Sequence, residues 1–202
     1  MNLGVVILAA GASSRMGRPK LLLSWEDTTV IGHLLRQWQV LGAAQVAVVC
    51  AAANEALAVE LDRFSFPTAN RIFNPQPERG MFSSIQCAAG WKGWQPDLTH
   101  WAINLGDQPQ VRLKTLKQLL DFAAAQPASI CQPSYNGRAK HPVLLPANVF
   151  SSLKDSQAAN LKEFLGAGRL SMARCEVDDP GLDLDLDEPA DYERALALAN
   201  VP

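Results

Sequence analysis

Three short stretches of this chain, residues 3–10, 45–52 and 99–105, are almost continuously apolar. Each has the length of a strand, and a run without polar alternation fits a strand covered on both faces. The segments between them carry helical spacing. Val30, Ile31, Leu34, Leu35, Trp38 and Leu41 share one face of a helix predicted over 28–41, with Gly42 at its end. Asn54 is placed to cap a helix running to about Arg63. A short strand at 71–73, a helix over 83–91 and a helix over 112–125, with Leu113, Leu116, Leu120 and Ala123 inward, continue the alternation. Strands at 129–135 and 142–145 flank Asn136-Gly137, a tight-turn dipeptide. A helix at 160–165, a strand at 172–177 and a helix at 189–199 complete the chain. The order predicts an α/β fold: a Rossmann-like three-layer sandwich with a mostly parallel sheet and a late antiparallel hairpin.

At 202 residues the chain is expected to form one domain, 1–202. Its 48% hydrophobic and 19% charged residues describe a globular protein, and a net charge of −2 gives no field for nucleic acid or for an anionic membrane. Cys50, Cys87, Cys131 and Cys175 are far apart, so neither a zinc site nor a disulfide framework is expected. The N-terminal apolar run lacks a basic lead and passes into a glycine loop, which does not look like a signal peptide, and a cytoplasmic protein is expected.

In sheets of this type ligands bind beyond the carboxyl ends of the strands. The loops after the strands at 3–10 and 99–105 are therefore expected to share a rim. The first of them begins with Gly11, expected to turn the chain sharply and to let a ligand approach the backbone. Arg15, Arg18 and Lys20 follow, a local concentration of positive charge suited to a polyphosphate. The spacing excludes two common phosphate motifs. Lys20 is followed by Leu21, unlike GxxxxGK[ST], and no glycine lies between Gly11 and Gly17, unlike GxGxxG. That second absence argues against a dinucleotide oxidoreductase.

Asp107 stands at the end of the strand at 99–105, where a carboxylate is a natural hard-oxygen ligand for Mg²⁺. In DLDLDE, Asp183, Asp185 and Asp187 alternate with leucine and would share one face of a strand, or cap the last helix. Ser83 and Ser84 open a helix, where either is a candidate N-cap. His141 precedes a proline, which favours extended backbone.

LAAGASSRMGRPK (8–20) resembles the signature loop of the nucleotidyltransferases built on a single nucleotide-binding domain. NPQPERGMFSSI (74–85) resembles the segment that reaches base and ribose, and NLGDQP (104–109) the metal-binding turn. HPVLLP (141–146) and DLDEPADYERAL (185–196) are similar to late segments of the molybdenum-cofactor cytidylyltransferase branch. The resemblance spans essentially the whole chain. It implies transfer of CMP from CTP to the phosphate of molybdopterin cofactor, with pyrophosphate released and Mg²⁺ required. It implies Arg15, Lys20 and Asp107 as catalytic residues. Leu8, Ala9, Ala10, Gly11, Gly80, Ser83 and Ser84 would line the nucleotide site with them, and His141 would face the acceptor. Asp107 and Asp185 or Asp187 would hold the metal, and the product would pass to a molybdoenzyme or its maturation chaperone. Ala10 resembles the pyrimidine-using members, the guanylyl branch carrying glycine there. The chain departs from the branch at Gln86-Cys87-Ala88, Lys140 and Glu188. Those departures keep two alternatives open: cytidylyl or guanylyl transfer to another small phosphorylated acceptor, and a carrier that binds the cofactor without catalysis.

Overall fold

A computed structural model describes residues 1–202 other than 14, 53, 168–169 and 200–202. The strands are β1 (Leu3–Ala9), β2 (Ser24–Trp25), β3 (Thr28–Thr29), β4 (Gln45–Ala51), β5 (Arg71–Asn74), β6 (His100–Leu105), β7 (Ile130–Tyr135), β8 (Arg138–Ala139), β9 (Val143–Pro146) and β10 (Met172–Glu176). The helices are α1 (Val30–Val40), α2 (Glu55–Arg63), α3 (Met81–Gly90), α4 (Leu113–Ala124), α5 (Ala147–Ser152), α6 (Leu161–Gly166) and α7 (Pro189–Ala199). One sheet runs in the order β10-β7-β9-β6-β1-β4-β5, with β8 hydrogen-bonded to β7. β1 pairs in parallel with both β4 and β6, and β10 pairs in parallel with β7.

The continuous apolar runs have a simple cause. Along β1, Leu3, Val5, Ile7 and Ala9 enter one hydrophobic core, while Val6 enters the other. The first core packs the sheet against Ile31, Leu34 and Trp38 of α1, Leu57 and Leu61 of α2, and Leu116 and Leu119 of α4. The second packs it against Phe82 and Ile85 of α3, Phe150 of α5 and Leu161 of α6. Three layers result, as the alternation of strand and helix predicts. No helix among the described residues is long and apolar enough to cross a membrane. The four cysteines are free; Cys50, Cys131 and Cys175 are buried and Cys87 partly so.

Four expectations need correction. The Asn136-Gly137 turn does form, with φ of 51° and 73°, but it joins β7 to the two-residue β8. β9 instead inserts between β6 and β7, antiparallel to both. DLDLDE is not a strand: a 3-10 turn ends at Asp183, and the rest is irregular chain anchored by buried Leu182 and Leu186. Leu113 is exposed, and Thr115 and Leu119 take inward places on α4. The helix predicted from Ser83 begins at Met81, with Gly80 as its N-cap, so neither serine caps it. Gly80 has φ of 87°, a conformation that glycine alone adopts cheaply.

Candidate active site

The loops after β1 and β6 meet at the carboxyl edge of the sheet. The Gly106 N–H donates to the Leu8 carbonyl at 3.1 Å. A β-carbon on Gly106 would stand 2.4 Å from that same oxygen, so only glycine lets the two loops touch. Against this seam lies a cavity of about 230 Å³, whose walls include Leu8, Ala9, Ala10, Gly11, Lys20, Gly80, Ser84 and Asp107. Gly11 does not supply the sharp turn expected of it. Among the described residues of the loop, Ser13, with φ of 51°, and Gly17, with φ of 70°, are left-handed. Gly11 faces open space, which leaves its backbone approachable.

Lys20 opens a 3-10 turn whose next residue, Leu21, is buried, and its N–H donates to Ser13 Oγ at 3.3 Å. Its ammonium donates to Asp107 Oδ2, another residue of the cavity wall, at 2.5 Å. A second carboxylate oxygen, Asp187 Oδ1, lies 3.6 Å from the same nitrogen. Arg15, on the outer side of the loop with 66% of its side chain exposed, donates to Asp187 Oδ2 at 2.8 Å.

The acidic segment is pinned to the turn after β6. The Leu186 N–H donates to the Asp107 carbonyl, and Gln108 Nε2 donates to Asp185 Oδ1 at 2.8 Å. The three aspartates do not share a face toward one partner. Asp183 pairs with Lys140, Asp185 with Gln108, and Asp187 with Arg15 and Lys20. Asp185 keeps surface in solvent, yet its carboxyl is pushed above the ordinary aspartate value. Loss of water on its inner side is the main cause, and the negative charges of Asp107 and Asp187 add to it. Among the described residues no three His, Cys, Asp or Glu side chains form a finished metal cage. The donor set nevertheless fits a hard divalent cation: oxygen donors with surplus negative charge, needing substrate phosphates and water to complete the shell.

Ser83 and Ser84 are buried. Asn74 Nδ2 donates to both hydroxyl oxygens, at 2.8 and 2.9 Å, and its Oδ1 accepts from the Gln76 N–H at 2.9 Å. Ser83 turns its hydroxyl to the Gly80 carbonyl at 2.7 Å and is not in the cavity wall, whereas Ser84 is. Asn74 was not singled out in the sequence, although its place at the end of β5, before Pro75, marks a residue that must leave the sheet. Asp179 was also missed. It is buried, accepts from the Arg112 N–H and Thr115 Oγ1, and so fastens α4 behind the site.

His141 lies one strand further along the rim, just before β9. Its Nδ1 is 3.2 Å from the Ile103 carbonyl, and since a carbonyl only accepts, Nδ1 carries the proton. Burial pushes the ring below the ordinary histidine pKa, partly opposed by that hydrogen bond and by the Asp107 charge. Of the departures noted in the sequence, Gln86 is spent on scaffold, its amide donating to the Ser156 carbonyl at 2.9 Å.

The geometry agrees with relationships found by comparison. Residues 5–173 match the model of the MobA-like NTP transferase domain. The molybdenum cofactor cytidylyltransferase of Escherichia coli K12 is 23% identical over 188 residues, 93% of this chain and 92% of that protein. The crystal structure of Rv0371c from Mycobacterium tuberculosis superposes with a TM-score of 0.79 at 29% identity, covering 98% of both chains. Its complex with manganese gives a TM-score of 0.72 at 27% identity, covering 98% of this chain and 99% of that one. The chain thus belongs to the MobA-like NTP transferase domain family and is a nucleotidyltransferase.

Proposed function

We propose that this protein is a Mg²⁺-dependent cytidylyltransferase that moves CMP from CTP to the phosphate of molybdopterin cofactor. The observation that carries the reading is the Lys20–Asp107 pair in the cavity wall, which brings the cation of one loop to the carboxylate of the other. The similarity to the Escherichia coli cytidylyltransferase supports CTP and the pterin acceptor, and the manganese complex of Rv0371c supports a divalent cation. Ala10, whose side chain borders the cavity, supports a pyrimidine nucleotide.

In the reaction a phosphate oxygen of the acceptor forms a bond to the α-phosphorus of CTP. The bond from that phosphorus to the bridging oxygen breaks, and its electron pair leaves with pyrophosphate. The attacking oxygen is already ionised, so the protein need not remove a proton, and catalysis consists of positioning and charge neutralisation. Asp107, with Asp185 or Asp187, would hold the metal. When bound, the metal supplies a positive centre shared by the phosphate oxygens. Lys20, once released from Asp107, faces the departing pyrophosphate, and Arg15 adds charge from the outer side. The backbone at Ala10 and Gly11, which borders the cavity, receives phosphate oxygens, while Gly80 and Ser84 border the nucleoside end.

The test is pyrophosphate release from each of the four ribonucleotides, with and without molybdenum cofactor and with EDTA. Release from CTP that requires both cofactor and divalent metal is expected. A preference for GTP would overturn the cytidylyl reading, and release without the pterin would overturn the acceptor.

A further inference from the structure

We infer that Lys140 is the residue by which this chain grips the phosphate of its acceptor. The inference rests on the cytidylyltransferase reading above and adds to it the residue that decides acceptor affinity.

The sheet order divides the rim in two. β1, β4 and β5 lie on one side of β6, and the cavity formed by the loop after β1 and by Gly80 and Ser84 beyond β5 belongs to that side. β9 and β7 lie on the other. β9 is antiparallel to β6, with Ile103 opposite Val143, so the residues just before β9 emerge at the same edge as Asp107. His141 and Lys140 therefore stand across Asp107 from the nucleotide cavity. In-line displacement needs the entering oxygen and the leaving pyrophosphate on opposite sides of the α-phosphorus. Lys20 and Arg15 mark the leaving side, so the acceptor enters past Lys140.

The acceptor's phosphate approaches an edge where the carboxylates of Asp107, Asp183, Asp185 and Asp187 outnumber the cations paired with them, Arg15, Lys20 and Lys140, so a cation must be freed for it to dock. Lys140 is built for that. Its backbone is fixed on both sides, the N–H donating to the Pro133 carbonyl at 2.8 Å and the carbonyl accepting from Gln132 Nε2 at 3.2 Å. Its side chain is 20% exposed, and its ammonium is paired with Asp183, which is 37% exposed. The more accessible carboxylate is the partner an incoming phosphate replaces. Asp183 holds the lysine in place and keeps it neutralised until then.

The experiment measures steady-state kinetics with molybdenum cofactor as the varied substrate at saturating CTP and Mg²⁺, with CTP binding followed separately by calorimetry. Lys140→Met should raise the acceptor KM by on the order of tenfold, the worth of one charge-assisted hydrogen bond, with kcat and CTP affinity held within about twofold. Lys140→Arg should restore most of the affinity. Asp183→Asn should lower the acceptor KM, because it frees the ammonium. A merely structural ion pair would give Lys140→Met and Asp183→Asn effects of the same sign, and that result would overturn the proposal. So would an unchanged acceptor KM in Lys140→Met. A wild-type protein that turns over no CTP would overturn the cytidylyltransferase reading and the proposal with it. Normal wild-type turnover with a silent Lys140→Met overturns the proposal alone.

Discussion

Lys20 Nζ sits 2.5 Å from Asp107 Oδ2, joining two loops 87 residues apart in sequence through side chains that are each at least 80% covered. In this state the cation proposed for phosphate and the carboxylate proposed for metal neutralise each other. Metal and nucleotide must then part them together, the metal taking Asp107 while the phosphates take Lys20. Lys20→Met should bind Mn²⁺ more tightly than wild type when no nucleotide is present, and CTP more weakly. Electron paramagnetic resonance of free Mn²⁺ reads the first quantity and calorimetry the second. Equal Mn²⁺ affinity in the two proteins would show that the pair does not restrain the metal site.

Asp107→Asn keeps the size of the side chain and removes its charge. The fold should survive, and kcat should fall by about a hundredfold or more, the size of a lost electrostatic contact in a transition state. Circular dichroism checks the fold and pyrophosphate release checks the rate. Near-normal turnover with the same Mg²⁺ dependence would place the metal elsewhere.

Base choice is tested at Ala10, whose β-carbon occupies volume beside the cavity. Wild type should prefer CTP to GTP in kcat/KM. Ala10→Gly should relax the ratio without reversing it, because added space does not create partners for guanine's polar edge. An unchanged ratio would mean that the base is read along the Gly80–Ser84 wall.

Asn74 makes three hydrogen bonds with none of its surface exposed. Asn74→Ala should cost about 2–3 kcal/mol in denaturant unfolding, since it deletes those bonds and strands a buried partner. Ser84, freed from its donor, should also raise the KM for CTP. A stable variant with unchanged KM would show that β5 and α3 hold their places without it.

His33 gives a pH signature from a group outside the wall of the Lys20–Asp107 cavity. Burial lowers its pKa below the ordinary histidine value, with Arg36 contributing in the same direction and Glu26 opposing. The contact of Nδ1 with Glu26 Oε2 at 3.4 Å is then a contact of a neutral ring at neutral pH, not a salt bridge. The sign follows. Above about pH 6.5 both states are neutral and stability is full; as pH falls below that, the unfolded chain gains a proton that the folded one resists. Unfolding free energy should decline below about pH 6.5, by at most about 1.4 kcal/mol per pH unit for this one group. His33→Gln should flatten part of that decline in urea titrations at pH 5.5–7.5. An identical slope would show that His33 titrates alike in both states.

The fold was legible because β1, β4 and β6 are covered on both faces and so write their burial as unbroken apolar runs, while α1 and α2 show caps and one-sided faces. The seam between the loops was legible too, since parallel strands end at one edge. What the sequence hid depends on pairing across long distances. Nothing local in residues 142–145 says that they pair with β6 as well as with β7. The alternation in DLDLDE mimics a strand, but irregular chain buries Leu186 in the first core and packs Leu184 partly against it. Asn74 and Asp179 gain meaning only from partners brought by folding, such as Ser84, Arg112 and Thr115.

β9 runs against its neighbours, and that reversal shapes how the chain can diversify. β7 ends at Tyr135 and β9 begins at Val143 at the same edge, both held in register by β10 and β6, while β8 between them pairs with β7 alone. The stretch from Asn136 to Pro142 therefore behaves as a cassette. It can be lengthened, shortened or exchanged with that of a relative while the pairings of β9 with β6 and β7 stay in step. A lineage could retune the side of the rim proposed for the acceptor by editing seven consecutive positions, leaving the half proposed for the nucleotide untouched.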